Sequence, residues 1–230
     1  MYRAILFDLG GTLVHVYESR ESAAVLAECL TNVGGYLQSC GCDVPALEDA
    51  LGRIESGRNG STDHYVYPLA TRLLHIYGPQ VRPYLDMACR RFMRPIFERC
   101  FIYPDTVPTL EALRDLGCRI AVISNTPWGS PGGLWREQIA RMGLDRRIDM
   151  AAFCDDVGQR KPARLLFDYT LARLDASPRH ALVVGDDPRW DIAGARAAGL
   201  AAVLIDREGE SDSAERVIGR LDELVALVGG

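Results

Sequence analysis

Four short runs of consecutive apolar residues, each ending at a glycine or a polar residue, constrain the fold of this chain most. These runs lie at residues 4–8, 119–124, 181–186 and 201–205, and a weaker run lies near 151–154. Continuous rather than alternating apolarity is typical of strands that are buried on both faces of a parallel sheet. We therefore predict a parallel sheet with helices on both sides.

Segments with helical periodicity separate these strands. They lie at residues 107–116, 134–142, 165–174 and 191–198. Gly117, Gly143 and Gly199 follow three of them, at the position where a helix commonly ends in the left-handed conformation. Because strand and helix alternate, we predict an α/β fold built on a doubly wound parallel sheet, with a Rossmann-like core.

The stretch from residue 16 to residue 100 is different because it contains no convincing strand. Its helical segments are predicted at 21–37, 46–55, 64–76 and 82–97. We predict that 16–100 forms a helical-bundle cap domain, inserted into a core domain of 1–15 and 101–230. Such a cap would cover the strand ends and exclude water from a bound ligand. A polar loop at 208–215 is predicted to precede a last helix at 216–227.

Composition and charge exclude several classes of function. The formal net charge of −5 argues against a general nucleic-acid surface. No apolar stretch approaches the roughly 20 residues that cross a bilayer, and the first strand begins too early for a signal peptide. Seven scattered cysteines are typical of reduced thiols rather than a disulfide framework. We expect a cytoplasmic monomer or homodimer that binds neither nucleic acid nor membrane.

Chemically active side chains follow four of the predicted strands, at the edge where the carboxyl ends of parallel strands meet. In chain order they are Asp8, Thr12, Ser124, Asn125, Lys161, Asp186, Asp187 and Asp191. Lys161 is the one lysine among 26 basic residues, and its ammonium is a compact point charge where arginine is a planar fork. Mg²⁺ would organise such a set, because it needs only one or two protein carboxylates beside water and phosphate.

These residues fall into motifs that resemble those of a known family. The motifs occur in the order Phe7-Asp8-Leu9-Gly10-Gly11-Thr12, Ser124-Asn125, Lys161-Pro162, and Gly185-Asp186 with Asp191. Together they resemble the haloacid dehalogenase superfamily, in the branch with a helical cap between the first two motifs. The resemblance covers essentially the whole chain. It implies an Mg²⁺-dependent hydrolase, a phosphatase acting on a small phosphorylated metabolite.

The resemblance also implies a role for each motif residue. Asp8 would be the nucleophile that forms an aspartyl-phosphate, which water then hydrolyses. Ser124, Asn125 and Lys161 would hold the phosphoryl group, and Lys161 would also neutralise charge on Asp8. Mg²⁺ would be bound by Asp8, Asp186 and the main-chain carbonyl of Gly10. The residues implied to orient these groups are Thr12, Asp187 and Asp191.

The sequence departs from the superfamily pattern at Gly10. Phosphatases of the superfamily usually carry an aspartate there, which protonates the leaving group and later activates the water. General acid–base help of this kind contributes about 10²- to 10⁴-fold in rate. Three explanations stay open: a leaving group that needs little protonation, such as an aryl or acyl phosphate; another acid, for which His15 is the nearest candidate; or a chain that binds ligand without turnover.

Two other activities of the superfamily can be compared with this sequence. Its phosphonate hydrolases use a cap lysine, and residues 16–100 contain none. Its dehalogenases share the aspartate nucleophile, but they resemble Asp-x-Tyr-Gly-Thr at the first motif and need no metal. Gly10 and the acidic fourth motif therefore favour phosphate. A dehalogenase-type hydrolase using Asp8 and a catalytically impaired ligand-binding protein remain the alternatives.

Substrate recognition is predicted to lie in the cap and in the loop after the second motif. Cap residues able to bind a phosphorylated or carboxylated substrate are Tyr17, Arg20, Arg58, His64 and Tyr65. Trp128, in a loop rich in glycine and proline, either lines the substrate pocket or anchors the cap by packing.

Overall fold

A computed structural model describes residues 2–56, 64–209 and 216–229. Its strands are β1 (Ala4–Phe7), β2 (Val14–His15), β3 (Phe101–Ile102), β4 (Arg119–Ser124), β5 (Met150–Phe153), β6 (Ala181–Gly185), β7 (Ala201–Ile205) and β8 (Val217–Ile218). Six of them form one sheet in the order β5-β4-β1-β6-β7-β8, and every neighbouring pair is parallel. The predicted doubly wound α/β fold is confirmed.

The strand that carries the first motif lies at the centre of this sheet. β1 pairs with β4 on one side and with β6 on the other, so that Phe7 is opposite both Val122 and Val184. All four residues of β1 are buried. The chain order therefore brings the carboxyl ends of β1, β4 and β6 side by side, and each is followed by one of the sequence motifs.

Helices cover both faces of the sheet. The α-helices of the described residues, both those of the sheet layers and the inserted ones, are α1 (Ser22–Ser39), α2 (Leu47–Ser56), α3 (Leu69–Tyr77), α4 (Leu85–Arg99), α5 (Thr106–Asp115), α6 (Gly132–Arg141), α7 (Cys154–Val157), α8 (Arg164–Arg173), α9 (Gly194–Ala197) and α10 (Glu223–Gly229). Ile5 and Phe7 belong to the apolar cluster that includes α5, α6 and α10. Ala4 and Leu6 belong to a second cluster with α8 and α9. Alternate residues of β1 thus face opposite layers.

Three helices end at glycines in the left-handed conformation, as the sequence predicted. Gly117, Gly143 and Gly199 have φ angles of 79°, 72° and 82°. These left-handed conformations are strained for residues with a Cβ atom, which explains glycine at each position.

The inserted helices leave and rejoin the core through a short antiparallel ribbon. Val14 in β2 is opposite Ile102 in β3, and α1 to α4 lie between these two strands in the chain. α1 packs against α2 and α4, and α3 also packs against α2 and α4. The division into a core domain and a cap domain at residues 16 and 100 stays a prediction.

Two of the predicted helices are wrong in part. The segment predicted at 64–76 becomes helical only at Leu69, because Val66 N donates to Gly158 O (2.9 Å) and Tyr65 forms a bridge with Gln159. The last predicted helix, at 216–227, begins instead with β8, which extends the sheet beside β7, and α10 starts at Glu223. Most of the predicted loop at 208–215 lies outside the described residues, as does Arg58.

The cysteines are structural thiols. All seven are free, and burial raises the pKa of Cys29, Cys89 and Cys100 to about 12. These three thiols therefore stay protonated at neutral pH. Among the described helices, none combines the length and the apolar character that a membrane span requires.

Candidate active site

The site begins where β1 ends. Asp8 follows β1 directly, and its main-chain N–H still donates to Val184 O of β6 (2.8 Å), which fixes its position in the sheet. Its side chain is 11% exposed and faces a cavity of about 610 Å³. The cavity is also lined by Ser124, Lys161 and Asp186, so the ends of three strands and one loop meet here as predicted.

Asp8 is held through one of its two carboxylate oxygens. Oδ1 accepts a hydrogen bond from Ser124 Oγ (2.9 Å) and another from Lys161 Nζ (2.5 Å). No described residue donates to Oδ2. The carboxylate is therefore fixed in orientation while its second oxygen stays available for attack on a substrate or for binding a cation.

Lys161 is fully buried, and each proton of its ammonium has an acceptor. Its Nζ contacts Asp8, Asp191 and Ile123 O, the last at 2.9 Å. Burial lowers the pKa of this amine, but the two carboxylates outweigh that effect and raise it above its ordinary value. The ammonium is charged, and its tetrahedral donors suit three acceptors that a planar guanidinium would not match.

Asn125 holds the main chain of Lys161. Its Oδ1 accepts from Lys161 N (2.7 Å), and its Nδ2 donates to Lys161 O (3.2 Å). The asparagine side chain is thus used to connect the second motif to the third. The role predicted for Asn125 in binding the phosphoryl group is that of its main-chain N–H, and it stays a prediction.

Three carboxylates form a cluster that could bind a metal ion. Asp8, Asp186 and Asp191 each offer one oxygen, and these oxygens lie within 4.8 Å of one another. Asp186 is exposed where it lines the cleft. Partial desolvation by neighbouring protein atoms, with the nearby charges of Asp8 and Asp191, raises the pKa of Asp186 to about 8. A divalent cation would relieve this excess of negative charge, and oxygen atoms are the ligands that Mg²⁺ prefers.

Two of the acidic side chains that line the cleft, those of Asp187 and Asp191, also accept hydrogen bonds within the loop that follows β6. Asp191 accepts from Lys161 Nζ through Oδ1 and from Asp187 N (3.1 Å) through Oδ2. Asp187 Oδ1 accepts from Arg189 N (2.7 Å) and Trp190 N (2.8 Å). Because these oxygens are occupied, Asp8 and Asp186 are better placed than Asp187 and Asp191 to bind a metal ion directly. The assignment of Gly10 O as a further ligand stays a prediction.

Two glycines allow the carboxylates to approach the main chain. Gly11 has a φ of +76°, and a Cβ atom there would lie 2.1 Å from Asp186 Oδ2. A Cβ atom on Gly185 would lie 2.3 Å from Asp191 Cγ. Gly10 is less constrained, because its Cβ atom would lie 3.2 Å from Val16 Cγ2.

Sequence reasoning missed Arg207, which follows β7 and holds the first motif loop. Its guanidinium donates to Thr12 O (2.7 Å), to Gly11 O (3.3 Å) and to both oxygens of Asp105 (3.0 and 3.1 Å), and it lies 3.8 Å from the centroid of the Tyr103 ring. Thr12 is buried, and its Oγ1 has no partner among the described residues. An isolated arginine in a polar loop gives no sequence signal of such a role.

Trp128, a candidate recognition residue, and His15, a candidate acid, line two different cavities. Trp128 packs as the second alternative predicts, because its ring lies against Tyr17 (6.4 Å) and against Phe92 in α4 (5.6 Å). It also lines a second cavity, and its contact with substrate stays a prediction. His15 lies in the wall of the first cavity, stacked on Phe101 (4.7 Å), with Nδ1 3.7 Å from Glu18 Oε1.

Comparisons with known proteins agree with this geometry. A family model described as haloacid dehalogenase-like hydrolase matches residues 2–199. A ribulose-1,5-bisphosphate 5-phosphatase from Halopiger xanaduensis is 31% identical over 94% of this chain and 89% of its own length. A glyceraldehyde 3-phosphate phosphatase from Methanothermobacter thermautotrophicus is 27% identical over 94% of this chain and 92% of its own. The structure of a 2-haloacid dehalogenase from Pseudomonas syringae pv. Tomato DC3000 shares the fold, with a TM-score of 0.76 and 22% identity over 100% of this chain and 99% of that one.

Proposed function

This chain belongs to the haloacid dehalogenase-like hydrolase family, and from that premise we propose that it is an Mg²⁺-dependent phosphatase of small phosphorylated metabolites. One observation carries the proposal: Asp8 is fixed by Ser124 and Lys161 through one oxygen, beside the carboxylate of Asp186. A nucleophile next to a buried cation and an acidic cluster suits a phosphoryl group with its counter-ion. The relatives named as phosphatases support the same class of substrate.

In the proposed reaction, Asp8 attacks the phosphorus atom and the alcohol leaves. The bond from the Asp8 oxygen to phosphorus forms as the bond from phosphorus to the leaving oxygen breaks, and the leaving oxygen takes a proton from water or from an acid of the site. Water then hydrolyses the aspartyl-phosphate, which releases phosphate and regenerates the Asp8 carboxylate. Ser124 and the main-chain N–H of Asn125 would hold the phosphoryl oxygens in line with the nucleophile, beside the positive charge of Lys161, and such positioning is most of what phosphoryl transfer needs. Bound Mg²⁺, held by Asp8 and Asp186, would supply positive charge to the phosphoryl oxygens.

The test is phosphate release from a panel of phosphorylated metabolites and an aryl phosphate, with Mg²⁺ or with chelator. Asp8→Asn keeps the shape of the side chain and removes the nucleophile. We expect metal-dependent release from wild type and none from Asp8→Asn. Release that persists in Asp8→Asn would disprove the assigned nucleophile. Chloride release from 2-chloropropionate without metal would establish the dehalogenase alternative.

A separate variant tests whether the aspartate that Gly10 replaces is needed for turnover. A side chain on Gly10 would press against Val16, so Gly10→Asp is combined with Val16→Ala to make room. A large gain in rate over Val16→Ala alone would mean that the chain lacks an acid and has become a weak enzyme or a binding protein. No gain would mean that the acid comes from elsewhere or is not needed. His15→Gln then separates these two cases, because it slows only a reaction in which His15 donates the proton.

A further inference from the structure

A second cavity of about 490 Å³ adjoins the active-site cavity. The residues that line both cavities are Tyr17, Ser19, Thr126, Pro127 and Arg160. The two cavities therefore meet at these residues. A substrate whose phosphoryl group lies at Asp8 can extend its leaving group past Arg160 into the second cavity.

The two cavities differ sharply in charge. Acidic side chains outnumber basic ones in the first, where Asp8, Glu18, Asp186, Asp187, Asp191, Asp206 and Glu208 line the cavity together with Arg160, Lys161 and Arg207. The second is lined by Arg20, Arg72 and Arg160, and none of its described lining residues is an aspartate or a glutamate. A metal ion suits the first cavity, whereas the second is complementary to an anion.

Two of these arginines form no ion pair with a described carboxylate. Arg160 lies where the cavities meet, with its guanidinium 4.8 Å from the centroid of the Trp190 ring and its main-chain N–H donating to His64 O (2.9 Å). Arg20 is exposed on the single 3₁₀ turn Ser19–Glu21. Several arginines elsewhere are paired, for example Arg90 with Glu137.

We propose that the natural substrate is a phosphate monoester with a second anionic group, a carboxylate or a second phosphate, which Arg20 and Arg160 bind. This inference rests on the proposed phosphatase function. Guanidinium groups match carboxylate and phosphate oxygens with paired hydrogen bonds. Arg20 and Arg160 are both exposed, and neither forms an ion pair with a described carboxylate, so an anion that enters the second cavity meets no competing acidic partner. A second anion bound there would orient the substrate along the cleft.

The test compares three aryl phosphates that share a ring and differ only opposite the ester. They are 4-carbamoylphenyl phosphate, 4-carboxyphenyl phosphate and benzene-1,4-diyl bisphosphate. Aryl leaving groups depart with little protonation, so the glycine at position 10 does not limit the comparison. The amide matches the carboxylate in shape without its charge, and the bisphosphate distinguishes a preference for phosphate from one for carboxylate.

We expect kcat/KM for at least one anionic ester to exceed that for the amide by about 10- to 100-fold, the value of one or two charged hydrogen bonds. Arg20→Gln should reduce this ratio about tenfold. Arg179→Gln is the matched control, because Arg179 is also exposed on a single 3₁₀ turn and lines neither cavity. It should leave the ratio unchanged.

The outcomes separate this inference from the function on which it rests. Equal kcat/KM for all three esters, with no effect of Arg20→Gln on the ratio, would overturn the second-anion site and leave a phosphatase. No metal-dependent release from any of the three, or from the metabolite panel, would overturn the proposed function and the inference with it.

Discussion

At the scale of single residues, Lys161 explains why a chain so rich in arginine keeps one lysine. Its ammonium makes contacts in three directions inside the core, to Asp8, Asp191 and Ile123 O. The charge lies between two carboxylates, and its loss would leave both of them buried without a counter-ion. Removing one partner of a buried ion pair typically costs about 3–5 kcal/mol.

We therefore predict that Lys161→Met lowers the free energy of unfolding by about 3–5 kcal/mol in the presence of chelator. Phosphate release should fall at least about 100-fold, because an electrostatic contact to the transition state is lost. Added Mg²⁺ should recover part of the stability, since a cation again lies beside the carboxylates. The control is Arg164→Met, which breaks an exposed pair with Asp168 and should cost less than about 1 kcal/mol. Equal losses in both variants would contradict the prediction.

Two adjacent glycines provide a second prediction at this scale. Gly11→Ala would place a Cβ atom 2.1 Å from Asp186 Oδ2 in a left-handed conformation, so the Asp186 carboxylate must move. We expect kcat/KM to fall about 100-fold, as for a misplaced catalytic group. Gly10→Ala should cost far less, because Val16 needs to shift by only a few tenths of an ångström. Metal-dependent phosphate release measures both, and the reverse order would refute this reading of the loop.

At the scale of elements, the sequence predicted the strands of the sheet well, including the edge strand β5, and missed only β8 at the other edge. β4 and β7 have their predicted bounds, because buried strands are continuously apolar. Two-residue β8 was hidden inside a segment with helical periodicity, since strand pairing at a sheet edge needs only main-chain groups. The extended residues before Leu69 were missed for the same reason: their pairing with Gln159 and Gly158 is a long-range contact.

The residues of the candidate site also divide into those that the sequence could predict and those that it could not. Residues at the ends of parallel strands, such as Asp8, Ser124 and Asp186, were predictable because the topology brings those ends together. Arg207 and Asp105 were not, because their pairing joins the end of β7 to the start of α5 and depends on burial rather than on a pattern. Leu221 N also donates to Asp105 Oδ2 (2.9 Å), so one carboxylate connects three segments of the core.

This connection predicts a pH dependence of stability. Burial opposes ionisation of Asp105, but hydrogen bonds from Arg207 and from Leu221 N outweigh it and hold its pKa below the ordinary value. The contribution of the carboxylate is therefore fully present above about pH 4 and is lost as the pH falls through the lowered pKa. Asp105→Asn should be about 2 kcal/mol less stable at neutral pH, and the difference should shrink on acidification. Urea unfolding from about pH 7 to about pH 3 measures it.

The control for this prediction is Asp168→Asn, because the exposed carboxylate of Asp168 pairs with Arg164 on the surface of α8. It should change stability by less than about 1 kcal/mol over the same range. A difference between wild type and Asp105→Asn that does not vary with pH would show that packing, rather than charge, accounts for the role of Asp105.

At the scale of the whole molecule, the inserted helices and the core meet around the cleft. Trp128, from the loop after β4, has a φ of +50° and packs against Phe92 of the inserted α4, and a Cβ atom on Gly129 would lie 2.2 Å from Tyr67 O. The loop that follows Ser124-Asn125 is therefore shaped by contact with the inserted segment between β2 and β3. Under the proposed function, catalysis at Asp8 and recognition in the second cavity would share this loop.

Charge balance across the cleft leads to a last prediction, on how metal and pH act together on the whole protein. The ordinary pKa of an aspartic acid is about 4, whereas desolvation and the charges of Asp8 and Asp191 raise that of Asp186 to about 8 in the folded protein. Between these values the folded protein binds more protons than the unfolded one, so without metal the free energy of unfolding should fall as the pH rises.

Mg²⁺ should reverse this trend, because a cation competes with the proton for the same oxygen and wins more easily at high pH. We expect the rise in melting temperature on replacing chelator with Mg²⁺ to be larger at about pH 8.5 than at about pH 5.5. Asp186→Asn should abolish the difference between the two pH values, while Asp168→Asn should preserve it. A rise in melting temperature that is equal at both pH values in wild type would mean that the ion does not bind at Asp186.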